Sequence, residues 1–402
     1  MDTNKLKNNK NSDDIIWTKG FAGLFIANLV MAVAFYFLLS TLPVYFTKYI
    51  HTNGLQTGIL LASYSVAAII TRPFTGYFID VYGRKWIYLA ALCIMTVLIN
   101  FYPWVGGFLL MFVLRFSHGL TWGIISTTGS TIAVDMLPEK RRGQGVGIYG
   151  LSMTLAMAVG PLIGLSIVHH LSYFWLFSTG FALSLAGTLI AFSIGYPKYL
   201  SHKKSRFHFK NLFEKTSIPL SVNMFLLMIP YGGIISFIVL YAKELGIENA
   251  GLFFLVYAIG VGISRFNSGK VFDNKGPDGV NIFAMSINAI GFIILSLIRS
   301  PTGFYSSAFI IGIGNGIIFP IFQTMVTNIV PANKRGTAIS TLFTAFDMGM
   351  GAGMVLIGYI SDITGLASAF MVSAFIASIA LVYYLLYAGK KYNLQLKVFY
   401  EK

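Results

Sequence analysis

The sequence predicts an all-α integral membrane protein with twelve transmembrane helices in two pseudo-symmetric bundles of six. Three observations lead to this prediction: long apolar runs recur along the chain, positive charges fall in alternate loops, and one charged phrase occurs twice. Of the 402 residues, 56% are hydrophobic and 11% are charged, whereas a water-soluble domain has about 25% charged residues. A lipid bilayer is therefore the predicted surrounding of most of the chain.

Apolar runs mark the predicted helices, because one helical crossing of a bilayer takes roughly 20 residues. The first run is too long for the apolar core of a cleaved signal peptide. The predicted helices span residues 17–46, 54–79, 85–103, 106–134, 143–169, 172–195, 217–242, 249–272, 278–298, 302–328, 335–361 and 365–388. The predicted parts are an N-terminal tail, two bundles, the linker between them and a C-terminal tail: residues 1–16, 17–195, 196–216, 217–388 and 389–402.

The positive charges indicate which helix ends face the cytoplasm. Of the 29 lysine and arginine residues, 23 lie in the two tails or in the loops after even-numbered helices, and 3 lie in the opposite loops. Cytoplasmic loops of membrane proteins carry such an excess. We therefore expect a multi-pass protein of the cell (inner) membrane with both termini in the cytoplasm. The net charge of +15 follows from this placement, so nucleic-acid binding is not expected.

A charged phrase is repeated at an offset of 193 residues: RPFTGYFIDVYGRK at 72–85 and RFNSGKVFDNKGPD at 265–278. The same offset aligns LPEKRRG at 137–143 with VPANKRG at 330–336. It also aligns GLTWG at 119–123 with GIGNG at 312–316. Agreement at three places without a gap predicts a duplicated six-helix unit. Both copies place the phrase on the cytoplasmic side, so the repeats are predicted to be parallel, about an axis along the membrane normal.

The first copy of the phrase resembles the loop 2–3 signature of the major facilitator superfamily, which is glycine, three residues, aspartate, two residues, glycine and then basic residues. The matching positions are Gly76, Asp80, Gly83, Arg84 and Lys85. Val81 departs from the pattern, because a basic residue is common there. The resemblance covers the chain through its twelve helices and implies the major facilitator fold, with transport by alternating access.

The resemblance also implies a gating latch on the cytoplasmic side. Asp80 is expected near the start of predicted helix 11, about residue 335, because a helix N-terminus favours an anion. Arg84 is expected to pair with Asp135, at the end of predicted helix 4. The latch residues are then Gly76, Asp80, Gly83, Arg84, Asp135 and Asp273. The alternative is a plain positive-inside loop with a turn.

Predicted helix 4 carries RFSHGLTWG, residues 115–123, which resembles the family's Arg-x-x-x-Gly signature in proton-coupled members. An arginine inside a membrane helix is costly and usually faces a cavity or a partner. Arg115 is therefore a candidate for proton coupling, and its alternative is to extend to the outer surface. His118 is a second candidate because histidine titrates near neutral pH, and its alternative is a structural hydrogen bond.

Predicted helix 5 carries LAMAVGPLIGL, residues 155–165, which partly matches the family's antiporter signature Gly-x-x-x-Gly-Pro-x-x-Gly-Gly. Gly160, Pro161 and Gly164 fit this signature. Proline removes a helical hydrogen bond and bends a helix. The resemblance implies export rather than uptake, and a generic bent helix is the alternative.

Asp347 is the most informative acid in the sequence. It lies twelve residues after Arg335, about 18 Å along a helix, near the midplane where transporter sites usually lie. An ionised carboxylate is costly there unless it is paired or hydrated, which suits reversible protonation. The alternatives are a helix cap or a permanent pair with Arg115 or Arg72. Further polar residues expected at a substrate cavity are Asn28, Tyr36, Asn223, Tyr231, Asn315 and Gln323.

The sequence therefore favours a monomeric, proton-coupled exporter of a small organic molecule, a drug or a metabolite, in contact with the lipid bilayer. A symporter or uniporter that imports a nutrient is the alternative, because direction lies in coupling rather than in architecture. An enzyme is disfavoured, since the chain has 14 acids without an Asp-x-x-Asp cluster and no phosphate-binding loop. Cys93 is the one cysteine, so neither a disulfide within the chain nor a cysteine metal cluster is expected, and no cofactor or metal is expected.

Overall fold

The computed structural model describes residues 15–52, 54–197 and 211–400. The predicted N-terminal tail, residues 1–16, and the predicted linker, residues 196–216, therefore lie largely outside the described residues, as does the side chain of Pro161. Within the described ranges the chain forms twelve long α-helices and no strand, which confirms the predicted all-α architecture.

The helices of the first half are α1 (Lys19–Tyr49), α2 (Gly54–Tyr82), α3 (Lys85–Phe101), α4 (Phe108–Met136), α5 (Arg142–His170) and α6 (Tyr173–Ser193). Those of the second half are α7 (Ile218–Glu244), α8 (Leu252–Lys275), α9 (Pro277–Leu297), α10 (Pro301–Asn328), α11 (Arg335–Thr364) and α12 (Leu366–Tyr383). In the described part of the chain, 11 helices are long and apolar enough to cross a membrane. Trp86 lies exposed at the start of α3 and Trp104 lies exposed in the turn that follows this helix; aromatic side chains favour the membrane–water interface.

Two glycines of the repeated phrase end a helix in the same way. Gly83 follows α2 with a φ of 91°, and Gly276 follows α8 with a φ of 80°. Only glycine adopts such positive φ values without steric cost, so a helix that stops there and reverses direction needs glycine at this position. The two copies of the phrase therefore share a turn that ends the helix, in addition to the aspartate.

The described part of the predicted C-terminal tail, residues 389–400, is helical. A π-helical stretch, Tyr384–Ala388, continues α12 into α13 (Gly389–Tyr400). Asp278 at the start of α9 explains the docking, because its carboxylate accepts hydrogen bonds from Tyr384 Oη and Asn393 Nδ2, each at 3.0 Å. Tyr392 is buried beside these contacts.

The chain divides into two compact units. The first contains Met1–Arg141 and Tyr149–Leu212, and the second contains Arg142–Ile148 and Phe213–Lys402. The first seven residues of α5 therefore group with the second unit, whereas the sequence-based boundaries place the whole helix in residues 17–195.

The same helix pairs pack within each unit. In the first unit α1 packs on α6, α2 on α4, and α3 on both α4 and α6. In the second unit α7 packs on α12, α8 on α10, and α9 on both α10 and α12. The repeat read from the sequence is thus a repeat of packing as well as of charge.

Helices α7 and α11 approach each other closely along small residues. A Cβ added to Gly353 would overlap the backbone oxygen of Ile229, and one added to Gly349 would overlap that of Phe225. Small residues permit this kind of backbone contact between membrane helices. The contact holds the central part of α11 at a defined depth against α7.

The variant Gly353→Ala should destabilise the protein, because the added methyl group forces α7 and α11 apart. Overpacking of this kind costs roughly 1–3 kcal/mol. Gly351→Ala is the matched control, since nothing lies within 4 Å of a Cβ at that position, and alanine favours a helix over glycine by about 1 kcal/mol. Thermal denaturation of the purified protein in detergent measures both, and equal midpoints for the two variants would contradict the packing described.

Candidate functional site

Asp347 lies in the interior of α11 and its side chain is buried. Among the described acids it alone lies more than one turn from a helix end. The residues around it are packed tightly, because Phe319 of α10 stacks against Phe343 at 5.4 Å and meets Phe346 edge-on at 5.3 Å between ring centroids. A carboxyl group is therefore buried at mid-helix depth, a position where the charged form is costly unless it is paired or hydrated.

Arg115 of α4 lies in the first unit and does not extend to the surface, because only 1% of the residue is exposed. Its Nε donates to the backbone oxygen of Leu60 at 3.3 Å, and its Nη1 donates to Tyr102 Oη at 3.5 Å. The guanidinium also lies over the ring of Tyr64, with 4.8 Å between Cζ and the centroid. These partners lie in α2 and in the turn after α3, and none of the three is an acidic residue.

His118 completes this group through the same tyrosine. Its Nδ1 lies 2.8 Å from Tyr102 Oη. An arginine can only donate, so the Tyr102 oxygen accepts from Arg115. The bond to His118 has two directions: in one imidazole tautomer the Tyr102 hydroxyl donates to Nδ1 and Nε2 carries the proton, and in the other Nδ1–H donates to the Tyr102 oxygen. His118 Nε2 has no hydrogen-bond partner in the described part of the chain.

The predicted latch residues of the first unit meet at the ends of α2 and α4. Arg84 Nε lies 2.6 Å from Asp135 Oδ2, and Arg84 Nη2 lies 3.5 Å from Asp80 Oδ1. The three side chains are largely buried, so the ion pairs are poorly screened by water. Gly76 lies one turn before Asp80 in α2, and Gly83 supplies the turn already described.

Asp273, the counterpart of Asp80 in the second copy, caps the first turn of α5. Its Oδ1 accepts from the backbone N–H of Gly143 and its Oδ2 from that of Gln144, each at 2.9 Å. These N–H groups have no partner inside their own helix, and a carboxylate is favoured at that end by the helix dipole. Arg142 adds a contact to Asn328 Oδ1 of α10 at 2.5 Å. The start of α5 is thereby attached to the second unit.

The glycines of the predicted helix 5 bend form a contact surface for α1. A Cβ added to Gly160 would come within 2.8 Å of Tyr36 Cβ and 3.0 Å of Phe37 N. At Gly164 it would meet the backbone oxygen of Phe37 at 2.5 Å. Larger side chains at either position would separate α5 from α1. Pro161 lies between these glycines in α5, and its side chain is outside the described residues.

The polar residues predicted for a substrate cavity fall into separate places. Asn28 of α1 donates to Ser152 Oγ of α5 at 2.6 Å, beside the α1–α5 contact that includes Tyr36. Asn223 of α7 is fully buried and donates to the backbone oxygen of Ala380 at 2.7 Å, so it joins α7 to α12. Gln323 is buried in α10, and its Nε2 has no hydrogen-bond partner among the described residues.

Asn315 and Tyr231 belong to one chain of polar contacts across four helices of the second unit. Asn288 Nδ2 donates to Asn315 Oδ1 at 2.8 Å, and Asn315 Nδ2 donates to Tyr257 Oη at 3.1 Å. Tyr257 stacks on Tyr231 with 5.9 Å between centroids. Sequence reasoning missed Tyr257 and Asn288 here, and Tyr102 in the first unit. A search for polar residues at mid-helix depth would have found Asn288, but nothing in the local sequence marks the two tyrosines.

An open cavity of about 490 Å³ lies at the ends of α7 and α11, lined in part by Lys243, Glu244 and Asp362. None of the candidate residues lines it. Its charged side chains belong to helix ends, so this cavity is separate from the candidate groups described above.

Comparison with known proteins gives a consistent family. The family described as Major Facilitator Superfamily matches residues 24–345 and 280–397. The chain is 24% identical over 341 residues to the staphylopine export protein of Staphylococcus aureus, covering 81% of this chain and 85% of that protein. It is 22% identical over 391 residues to the multidrug resistance protein MdtG of Escherichia fergusonii, covering 92% and 95%.

Solved structures show the same fold at lower identity. The human organic anion transporter MFSD10 (TETRAN) superposes with a TM-score of 0.80 at 15% identity, covering 91% of this chain and 98% of that one. The E. coli fucose:proton symporter FucP superposes with a TM-score of 0.75 at 14% identity, covering 92% and 98%. The likeness extends over both units of the chain.

The variant Asp273→Ala should loosen the start of α5, because two backbone N–H groups lose their acceptor. Loss of a helix cap costs about 1 kcal/mol, so we expect amide hydrogen exchange in residues 142–148 to become about fivefold faster or more. Hydrogen exchange with mass spectrometry measures this change. Glu248→Ala is the control, since Glu248 is an exposed loop residue of the same unit, and equal exchange in both variants would contradict the capping role.

Proposed function

Because the chain belongs to the major facilitator superfamily, we propose that this multi-pass membrane transporter exports a small organic molecule in exchange for protons. Relatives named for export or for drug resistance support the direction, and they cover 81% to 92% of the chain. The structural neighbours include a proton symporter, so the fold itself is compatible with either direction. We further propose that the protein works as a monomer in the cell membrane with both termini in the cytoplasm.

Asp347 is the residue that carries the proposal of proton coupling. It combines burial with a position in the interior of α11, while the other described acids lie near helix ends or in loops. A buried carboxyl group takes up a proton when water leaves its surroundings, and it releases the proton when water enters. Alternating access supplies such a change, since the site faces each side of the membrane in turn.

Arg115 and His118 are the proposed partners of this process in the first unit. In the tautomer in which Tyr102 donates to His118 Nδ1, a second proton can enter the imidazole at Nδ1 only if the Tyr102 hydroxyl turns away. The tyrosine oxygen would then accept hydrogen bonds from both His118 and Arg115. Protonation thus rearranges a buried hydrogen-bond chain that joins α4 to the end of α3, which offers a mechanical link between charge and helix position.

The gating latch is proposed to act at the cytoplasmic helix ends. The buried pairs of Arg84 with Asp80 and Asp135 hold the ends of α2 and α4 together, and Asp273 holds the start of α5. Helices that move during transport must break or carry such contacts. The position of Asp80 near residue 335 stays a prediction.

Gly160, Pro161 and Gly164 are proposed to let α5 bend or slide against α1. The two glycines allow backbone contact with Phe37, and a surface without side chains offers little resistance to sliding. These residues favour export only because they resemble the antiporter signature. The direction of transport is therefore measured separately.

Replacing Asp347 with asparagine should abolish pH-driven transport, because the amide cannot take up a proton at physiological pH. The substrate is first identified by a growth and accumulation screen of a deletion strain with toxic compounds and metabolites. Transport of that compound is then measured in proteoliposomes with an imposed pH gradient. The control is Asp362→Asn, at an exposed position near the end of the same helix. Full transport by the Asp347→Asn variant would remove this residue from the mechanism.

Inverted membrane vesicles separate export from import. When their lumen is acidified, a proton-coupled exporter should accumulate the compound inside, since the vesicle interior corresponds to the outside of the cell. A symporter should instead expel the compound with the protons, and a uniporter should ignore the pH gradient. Either of these two results would overturn the proposed direction or coupling.

A further inference from the structure

We propose that the buried group formed by Arg115, Tyr102, His118 and Tyr64 binds the carboxylate of an aromatic organic anion. This group is called the arginine cluster below. The proposal rests on the proposed function in one respect, since alternating access supplies the opening through which a ligand reaches residues buried here. It adds the chemical class of the substrate.

The arginine cluster holds a positive charge that the first unit does not neutralise. The described acids of this unit are Asp80, Asp135 and Glu139, at the ends of α2 and α4 or in the turn that follows. Asp135 lies 20 residues from Arg115 along the same helix, about 30 Å away. Asp80 lies equally far along α2 from Leu60, whose backbone oxygen accepts from Arg115. Within the described part of the unit, no carboxylate reaches the guanidinium.

A buried arginine without an opposite charge is expensive, since burial removes the water that stabilised it. A carbonyl, a phenol and the face of Tyr64 compensate this loss only in part. A ligand that supplies a negative charge would recover the remainder. The energetic deficit therefore favours an anion over a neutral or cationic molecule.

The hydrogen-bonding atoms that remain free in the arginine cluster point to the same conclusion. Arg115 Nη2, His118 Nε2 and Tyr64 Oη are buried and have no partner among the described residues. The first is always a donor, the second is a donor in the tautomer in which Nδ1 accepts from Tyr102, and the third is a hydroxyl. A carboxylate has two oxygens that only accept, and its fork matches the planar guanidinium.

Aromatic rings extend from the arginine cluster and indicate the body of the ligand. Tyr64 stacks on Phe35 with 5.2 Å between centroids, and Phe35 stacks on Trp122 with 4.4 Å. Tyr36 meets Phe35 edge-on at 5.1 Å. A column of flat rings that begins at a guanidinium fits a molecule with one aromatic body and one carboxylate, because offset stacking is favourable for such rings.

The test uses two probes of nearly the same size and shape, indole-3-acetate and indole-3-acetamide, in which a charged carboxylate is replaced by a neutral amide. Their binding to the purified full-length protein in detergent is measured by calorimetry at one pH and ionic strength, without a membrane gradient. We expect the carboxylate to bind at least about tenfold more tightly than the amide, as for hydrogen bonds to a charged group. Equal dissociation constants for the two probes would overturn the proposal. It would also be overturned if added chloride changed the two dissociation constants by the same factor.

Variants locate the binding. Arg115→Gln should raise the dissociation constant for indole-3-acetate about tenfold, to that of the amide. Arg299→Gln, the same change at an exposed position, should leave both constants unchanged. Arg115→Lys covers the case in which the glutamine variant does not fold: it keeps the charge but loses the fork, so intermediate affinity supports the site and unchanged affinity contradicts it.

The binding measurement is independent of the transport experiments. Carboxylate binding that depends on Arg115 can be present in a protein that fails to exchange protons, in which case the proposed function falls and the anion site stands. If the protein instead exports a neutral compound in exchange for protons and shows no preference for indole-3-acetate over the amide, the proposed function stands and the anion site falls.

Discussion

A charge in the apolar interior of a bilayer is costly unless a partner or water stabilises it, and the rest of this structure depends on that constraint. It explains why nearly all described acids lie at helix ends or in loops. There, they pair with arginine, as Asp135 does with Arg84, or cap a helix, as Asp273 does for α5. Charges in the interior of a helix depart from this distribution and are informative for that reason.

Asp347 and Arg115 are the two described departures on which the proposals rest. Each is buried inside a long helix, one in each unit. A protein that only needed a stable bundle would place apolar side chains at both positions, since replacing buried charges by apolar residues is often neutral or stabilising. The two proposals give each charge a role, which is taking up a proton at Asp347 and holding an anion at Arg115.

Glycine residues allow two pairs of helices to touch through their backbones. Gly353 and Gly349 bring α11 onto α7, and Gly160 and Gly164 bring α5 onto α1. Asp347 lies in α11, two residues before Gly349, so the acid is carried on a helix whose backbone contacts its neighbour directly.

The sequence by itself determined the twelve long helices, approximately where most of them end, and the repeat, because hydropathy, turn glycines and the positive-inside bias are local patterns. It also placed Asp347 at mid-helix depth, since depth follows from counting residues along a helix. Only the tertiary structure decided which side chains meet: Tyr102 with Arg115 and His118, Asn288 with Asn315 and Tyr257, and α13 with Asp278. The physical reason is that a contact between helices depends on how each is rotated and where the two cross. Neither quantity is written in the local sequence of either helix.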